Sequence, residues 1–283
     1  MSHGFNDWNV MPSHTIRIYA ALKERGVTVQ NYFHQGGHGG PPPMEMMNKW
    51  FTRFLYGVEN GVENEPPSWI VREDADPAKP TSYGAYPHPD TQIVELFPHQ
   101  GGNESGKLTP TPGSSVMEKL IDDVQLSGAK LAAAQNSPHR LMYATPPLSA
   151  PVHISGTPKL SIRAASSKPA VNLSVWLVAL PYDNSRNIND DIITRGWADL
   201  QNHKSLTESE ALEPGKFYEM TFELEPDDQI IPAGQQIGLM IFSSDRDFTL
   251  WPEPGTELTV DLAGVKLELP VVGGATELKF NAN

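Results

Sequence analysis

Two side chains near the start, Asp7 and His38, are of the types that an acid–histidine pair requires, and 38 − 7 = 31 residues separate them. An aspartate that accepts a hydrogen bond from one imidazole nitrogen fixes the tautomer and direction of the ring. The other nitrogen can then take a proton from a serine hydroxyl. Glycines at 36, 37, 39 and 40 flank His38, and they allow a close backbone approach that turns the ring inward. Such a pair recurs by chance in many chains, so the plain alternatives stand beside it: a turn cap for Asp7 and an exposed loop residue for His38. His34 is the rival histidine. His34-x-x-x-His38 has the spacing of a helical zinc pair, but Gly36-Gly37 opposes a helix and the required glutamate and third ligand are missing. His34 is therefore expected to end a strand and pack there, as is His3. Trp8, beside the acid, is a candidate for lining a substrate pocket, with packing beneath the turn as the alternative.

The elements that must carry this pair form a turn, helix, strand, loop, helix succession. Ser13 to Arg25 has Ile16, Tyr19, Ala20 and Leu22 at helical spacing and stops at Gly26, with Ser13 as the expected capping residue. "VTVQNYF" is β-rich and runs straight into the histidine loop. Met44 to Tyr56 predicts a second helix with Met47, Trp50, Phe51, Phe54 and Leu55 on one face, a stripe expected to be core. Alternation of this kind belongs to an α/β unit with a parallel sheet. A boundary is expected between Val58 and Glu65, giving an α/β piece over 1–60 and a second domain over 61–283.

Beyond the boundary the punctuation is that of an all-β protein. Strands are predicted at "SWIVRE", "QIVELF", "VHISGTPKLSIRA", "NLSVWLVAL", "KFYEMTFEL", "QIGLMIFSS" and "LTVDLAGVKLEL". In "FYEMTFEL", Tyr218, Met220, Phe222 and Leu224 face one way and Glu219, Thr221 and Glu223 the other, as in a sheet with one wet face. "LSVWLVAL" is apolar on both faces. Long irregular connections, Asp183 to Leu212 for example, favour a jelly-roll-like sandwich. The pairs Asp122-Asp123, Asp190-Asp191 and Asp227-Asp228 lack the ligand spacing of a calcium loop and are expected to be solvated loop charges.

The 283 residues suffice for one large or two smaller cores. With 34 acidic against 21 basic side chains and no basic run, nucleic acid and anionic membranes are poor partners. The absence of cysteine excludes disulfides, thiolate metal sites and a cysteine nucleophile. No metal or cofactor is expected. No apolar run reaches the roughly 20 residues of a membrane helix, and the first residues lack the basic start and apolar core of a signal peptide.

"HGFNDWNVMP" followed by "FHQGGHG" resembles the acid and histidine regions of the X-prolyl dipeptidyl peptidase and cocaine esterase family of serine hydrolases. "YATPPLSAPVHISGTPKLSIRAASSKPAVNLSVWLVAL", "ITRGW", "LEPGKFYEMTFEL" and "IPAGQQIGLMIFSSD" look like successive landmarks of the same family's jelly-roll. The resemblance implies an α/β-hydrolase sheet end with Asp7 as triad acid and His38 as triad histidine, in the chain order Ser, Asp, His. It implies a peptide substrate with proline at its second position, "HGFNDWNV" leaning to the peptidase branch over the esterase or acylase branch. A non-catalytic jelly-roll binding module is the alternative of a different class.

One departure from the family pattern is large. No serine lies in a Gly-x-Ser-x-Gly frame, since "ISGTP", "ESGKL", "LSGAK" and "PGSSV" all fail it, and only Ser2 precedes Asp7. The chain is thus expected to be the C-terminal part of such an enzyme, to need an N-terminal catalytic portion as partner and to be nearly inactive alone. Its first sixty residues, carrying an unpaired sheet edge and an uncovered apolar face, are expected to be the less stable part and to promote homo-oligomers.

Overall fold

The opening alternation folds into a small mixed sheet with two helices. In the computed structural model, which describes residues 1–182 and 191–281, β1 (Ser2–Gly4), α1 (Pro12–Glu24), β2 (Asn31–His34) and α2 (Met44–Tyr56) follow in order. Next come β3 (Ser68–Ile70) and β4 (Thr81–Tyr83), and the four strands lie in the order β1-β2-β3-β4. The first two pairings are parallel and the last antiparallel. Thus the sheet does not stop at residue 60, and "SWI" joins it. Phe5, Tyr19, Phe33, Ile70 and Tyr86 form its buried core.

Both helices appear where the apolar spacing places them, but their surroundings differ from expectation. The N-cap of α1 is Met11, which offers no side-chain bond, so Ser13 is not the cap. Pro12 occupies the first turn, where its missing N–H costs nothing. Helix α2 ends at Gly57 in the left-handed region, φ 71°, the usual glycine stop. Its apolar stripe is not core: Met44, Phe51, Phe54, Leu55 and Tyr56 are all exposed, Leu55 at 71%. Periodicity reports which face of a helix is apolar; it does not report whether anything covers that face.

The rest is β. Strands β5 (Thr91–Pro98), β6 (Gly106–Thr109), β7 (Met117–Ile121), β8 (Leu141–Ala144), β9 (Val152–Gly156), β10 (Lys159–Ser166) and β11 (Asn172–Leu180) come first. They are followed by β12 (Ile192–Asp199), β13 (Phe217–Glu223), β14 (Asp227–Ile231), β15 (Gln236–Phe242), β16 (Glu257–Asp261) and β17 (Lys266–Val272). The main path runs β12-β11-β15-β8-β6-β5-β17-β10-β16-β7, with β13 beside β10 and β14 beside β9. Apolar side chains of β11 and β15 meet those of β10, β16 and β17 in one core that includes Val175, Leu239, Leu160, Val260 and Leu267. Trp176, Met240 and Phe242, on the other face of β11 and β15, are covered by α3 (Gly128–Ala133) through Leu131 and Ala132. Hence "LSVWLVAL" is buried on both faces. In β13 the alternation holds: Met220 is buried, Glu219, Thr221 and Glu223 exposed.

Two loop readings are corrected. The segment from Asp183 to Leu212 is not a continuous irregular connection, because β12 lies within it and pairs with β11; residues 183–190 are outside the described residues. Nor are Asp122, Asp191, Asp227 and Asp228 of the acidic pairs solvated, Asp190 lying outside the described residues. Asp122 is buried and accepts hydrogen bonds from Ser244 N (2.8 Å) and Oγ (3.0 Å). Asp227 and Asp228 are buried in β14, and Asp191 is buried too. Among the described residues no group of acidic or histidine side chains could hold a metal ion, and no helix is long and apolar enough to cross a membrane.

Candidate functional site

Asp7 and His38, distant in sequence, meet because β1 and β2 are parallel neighbours. The register pairs His3 with Phe33 and Gly4 with His34, so the turn after β1 and the loop after β2 leave the same end of the sheet. They zip together beyond the strands: Phe5 N donates to His34 O (2.8 Å), Asn6 N to Gly36 O (3.1 Å) and Asn6 Nδ2 to Gln35 O (3.1 Å). Gly4 permits this approach, since a Cβ there would lie 2.2 Å from Gly36 O. Gly40 serves a second contact: its φ is +83°, and a Cβ would fall 2.6 Å from His34 Nε2.

The two side chains form a direct pair. His38 Nδ1 donates to Asp7 Oδ2 at 2.9 Å. The other carboxylate oxygen accepts the backbone N–H groups of Asn9 and Val10, both at 3.0 Å. Asp7 is 4% exposed. Burial by itself raises its pKa, but the hydrogen bonds from Val10, His38 and Asn9 outweigh it and hold the carboxyl below its ordinary value. The His38 side chain is 65% exposed, and its Nε2 makes no hydrogen bond among the described residues. An imidazole held at Nδ1 by a buried carboxylate, with Nε2 open, can accept a proton from a hydroxyl presented to it. No serine of the described residues presents one; Ser2 Oγ donates instead to Gly40 O (3.2 Å). An open groove over the pair is bounded by His3, Val10, Thr15 and Pro41.

The other histidines support the pair. His3 bonds Thr15 Oγ1 (2.8 Å) through Nδ1 and Val10 O (2.8 Å) through Nε2, and approaches Asp7 Oδ2 to 3.6 Å. His34 bonds Gly39 O through Nε2 (2.8 Å) and receives Gly36 N–H at Nδ1 (3.1 Å). Burial lowers its pKa. Its ring thus shapes the loop that carries His38.

Trp8 faces the β region. Its ring lies over the guanidinium of Arg195, Cζ 4.5 Å from the ring centre, and meets Trp197 edge-on at 6.0 Å. Arg195 is 2% exposed and is also 4.1 Å from the Trp176 ring centre; burial brings its pKa down to about 10. Asp245 accepts both indole N–H groups, from Trp176 (2.8 Å) and Trp197 (3.0 Å). The histidine loop has its own tie: Gln35 Nε2 donates to Asp228 O (2.6 Å). Arg72, His153 and Ser155 converge on the Asp228 carboxylate at 2.6, 2.8 and 2.6 Å. Of these partners the sequence singles out only Asp228, and that as a solvated loop charge. The available signal was charge in places without room for water: Arg195 in a run of buried strand residues and the acidic pair opening β14.

This predominantly β chain, opening on a short mixed sheet, shares its fold with part of several solved hydrolases. An aminopeptidase from a marine sediment Thaumarchaeota archaeon superimposes with a TM-score of 0.74 at 14% identity, over 96% of this chain and 54% of that one. A CocE/NonD family hydrolase of Staphylococcus aureus gives 0.72 at 13% identity, over 96% and 54%. The chain belongs to the family described as X-Pro dipeptidyl-peptidase C-terminal non-catalytic domain, which matches residues 60–278. A protein of Rhodopirellula baltica provisionally named Xaa-Pro dipeptidyl-peptidase is 55% identical over 282 residues, 99% of this chain and 45% of that protein. The chain therefore spans less than half of that relative's length. Asp7 and His38 lie outside the matched non-catalytic residues but inside the stretch shared with this relative.

Proposed function

We propose that this chain carries the acid and the histidine of a Ser-His-Asp hydrolase acting on peptides with proline at the second position. The serine comes from a segment that the chain does not contain. Asp7 orients His38 through the Nδ1 bond, and Nε2 takes the proton of that serine as it attacks and returns it to the leaving amine. In this reading β1 and β2 belong to the end of an α/β-hydrolase sheet, residues 1–60 complete the catalytic domain, and residues 61–283, whose β3 and β4 extend that sheet, are otherwise a jelly-roll sandwich. The observation that carries it is the 2.9 Å bond from His38 Nδ1 to a buried carboxylate whose other oxygen is already satisfied by two backbone N–H groups. A turn cap alone has no use for an imidazole. The family's non-catalytic description over 60–278 supports assigning chemistry to the first residues and scaffolding to the rest. The same description favours a second reading, a binding module without chemistry.

Co-expression of this chain with the remaining part of the Rhodopirellula baltica relative tests the proposal through release of p-nitroaniline from Ala-Pro-p-nitroanilide. Hydrolysis is expected only from the two together, and Asp7→Asn and His38→Ala are each expected to abolish it. A p-nitrophenyl ester cleaved far better than the anilide selects the esterase branch. An assembled pair that hydrolyses neither substrate, or one indifferent to His38→Ala, removes the assignment and favours the binding module.

A further inference from the structure

We propose that Arg195 and Glu225, in the family's non-catalytic residues, are positioning residues that grip the turn bearing Asp7 at two points, Trp8 and Ser13. The proposal rests on the reading of Asp7 and His38 as a working pair.

The turn runs from the end of β1 to the start of α1, and it gains little from its own sequence at the helix end. Helix α1 has no side-chain N-cap and no acidic residue in its first turn, although a helix N-terminus presents unpaired N–H groups and favours negative charge. Glu225, 212 positions away, supplies both: its carboxylate accepts Ser13 N–H (2.9 Å) and the Ser13 hydroxyl (3.1 Å). On the other side, Trp8 directly follows Asp7 and is seated on Arg195. The guanidinium lies against three ring faces, with Cζ at 4.1 Å from Trp176, 4.5 Å from Trp8 and 4.9 Å from Phe248. A buried cation held against aromatic faces fixes their relative position more closely than apolar packing alone.

The two grips form one unit. Glu225 N–H donates to Arg195 O (2.7 Å), and Thr194 Oγ1 donates to Glu225 O (2.6 Å), so a shift of either residue moves the other. Between the grips lie Asn9 and Val10, whose N–H groups hold one oxygen of Asp7 while the other meets His38.

The test uses the whole chain carrying Arg195→Met, Glu225→Ala or Trp8→Phe. Carboxyl-carbon NMR follows the titration of Asp7, and hydrogen exchange follows the Asn9 and Val10 amides. The first two variants are expected to raise the Asp7 midpoint towards the ordinary carboxylate value and to speed exchange at these two amides by about tenfold, with the β core unchanged. Trp8→Phe keeps a ring over Arg195 and is expected to stay near the parent on both readouts. Folded Arg195→Met and Glu225→Ala proteins with parental titration and exchange overturn the proposal. If Arg195→Met does not fold, the partly buried Glu225 decides alone: an unmoved Asp7 in Glu225→Ala is then the refuting result. Neither readout involves a substrate, so the two failures are told apart: a failed hydrolysis experiment removes the catalytic purpose of the grip but does not move these readouts, and parental readouts here leave the peptidase reading intact.

Discussion

Substituting Gly4 with alanine drives a wedge between the two loops that the site brings together. The added methyl would lie 2.2 Å from Gly36 O, 2.6 Å from Gly37 O and 2.8 Å from His34 Cε1, where real contacts do not fall below 3.0 Å. Two of these atoms belong to backbone, so the loops must part by at least 3.0 − 2.2 = 0.8 Å. Transmitted to the pair, this lengthens the His38–Asp7 bond from 2.9 Å to 2.9 + 0.8 = 3.7 Å, past the useful range of an N–H···O hydrogen bond. Overpacking of this kind costs about 1–3 kcal/mol, which a protein of ordinary stability survives, so Gly4→Ala is expected to fold. A displacement of ~1 Å at a reacting group lowers turnover on the order of 100-fold. Hydrolysis of Ala-Pro-p-nitroanilide by the co-expressed pair measures that loss, and a crystal structure of the variant measures the bond. A rate within about threefold of the parent, with the bond still at 2.9 Å, would refute the view that close approach at Gly4 sets the pair.

The remaining predictions concern stability and association. Arg140, 1% exposed, donates to the carbonyls of Leu131, Gly102, Glu104, Ala134 and Gln135; Arg140→Met removes all five bonds, Gly102 O keeping a second donor in Met142 N–H, and is expected to cost roughly 3–5 kcal/mol in chemical denaturation, an unchanged midpoint being the contrary result. Asp227 is 2% exposed, neither carboxylate oxygen has a hydrogen-bond partner among the described residues, and burial raises its pKa well above the ordinary 3.8. The folded state therefore holds a proton that the unfolded chain releases above that pH, and the resulting loss of stability grows as pH rises from the unfolded pKa towards the folded one. Asp227→Asn is expected to melt higher than the parent at pH 7 with a gap that closes near pH 4; a gap independent of pH contradicts this. Finally, Leu55→Glu on the uncovered face of α2 is expected to reduce self-association in sedimentation velocity and to leave the sheet core intact. A monomeric parent would remove the premise.

Much of the local structure is legible in the sequence because it depends on near neighbours. Helix α2 has the predicted span, since Met47, Trp50, Phe51, Phe54 and Leu55 recur at its period and Gly57 ends it. Strands such as β11 and β13 follow their apolar patterns. Asp7 and His38 could be picked out as a pair because glycines and a family-like context surround them, yet spacing could not say that they touch. Only the parallel register of β1 and β2, a contact between segments about thirty residues apart, brings them to 2.9 Å.

Burial and long-range polar partnership were decided by the tertiary structure alone. Asp122 and Asp228 read as surface charge because acidic residues are seldom buried, but Ser244 in one case and Arg72, His153 and Ser155 in the other supply what water would have supplied. The apolar stripe of α2 read as core, yet none of its residues is fully buried, and Phe51, Phe54 and Leu55 are exposed. Ser13 read as a helix cap, and the carboxylate that serves the helix belongs to Glu225. A sequence determines periods, turns and residue chemistry because these act over a few bonds. Which charge is neutralised, which face is covered and which acid meets which base depend on groups that only the folded chain brings within a few ångströms.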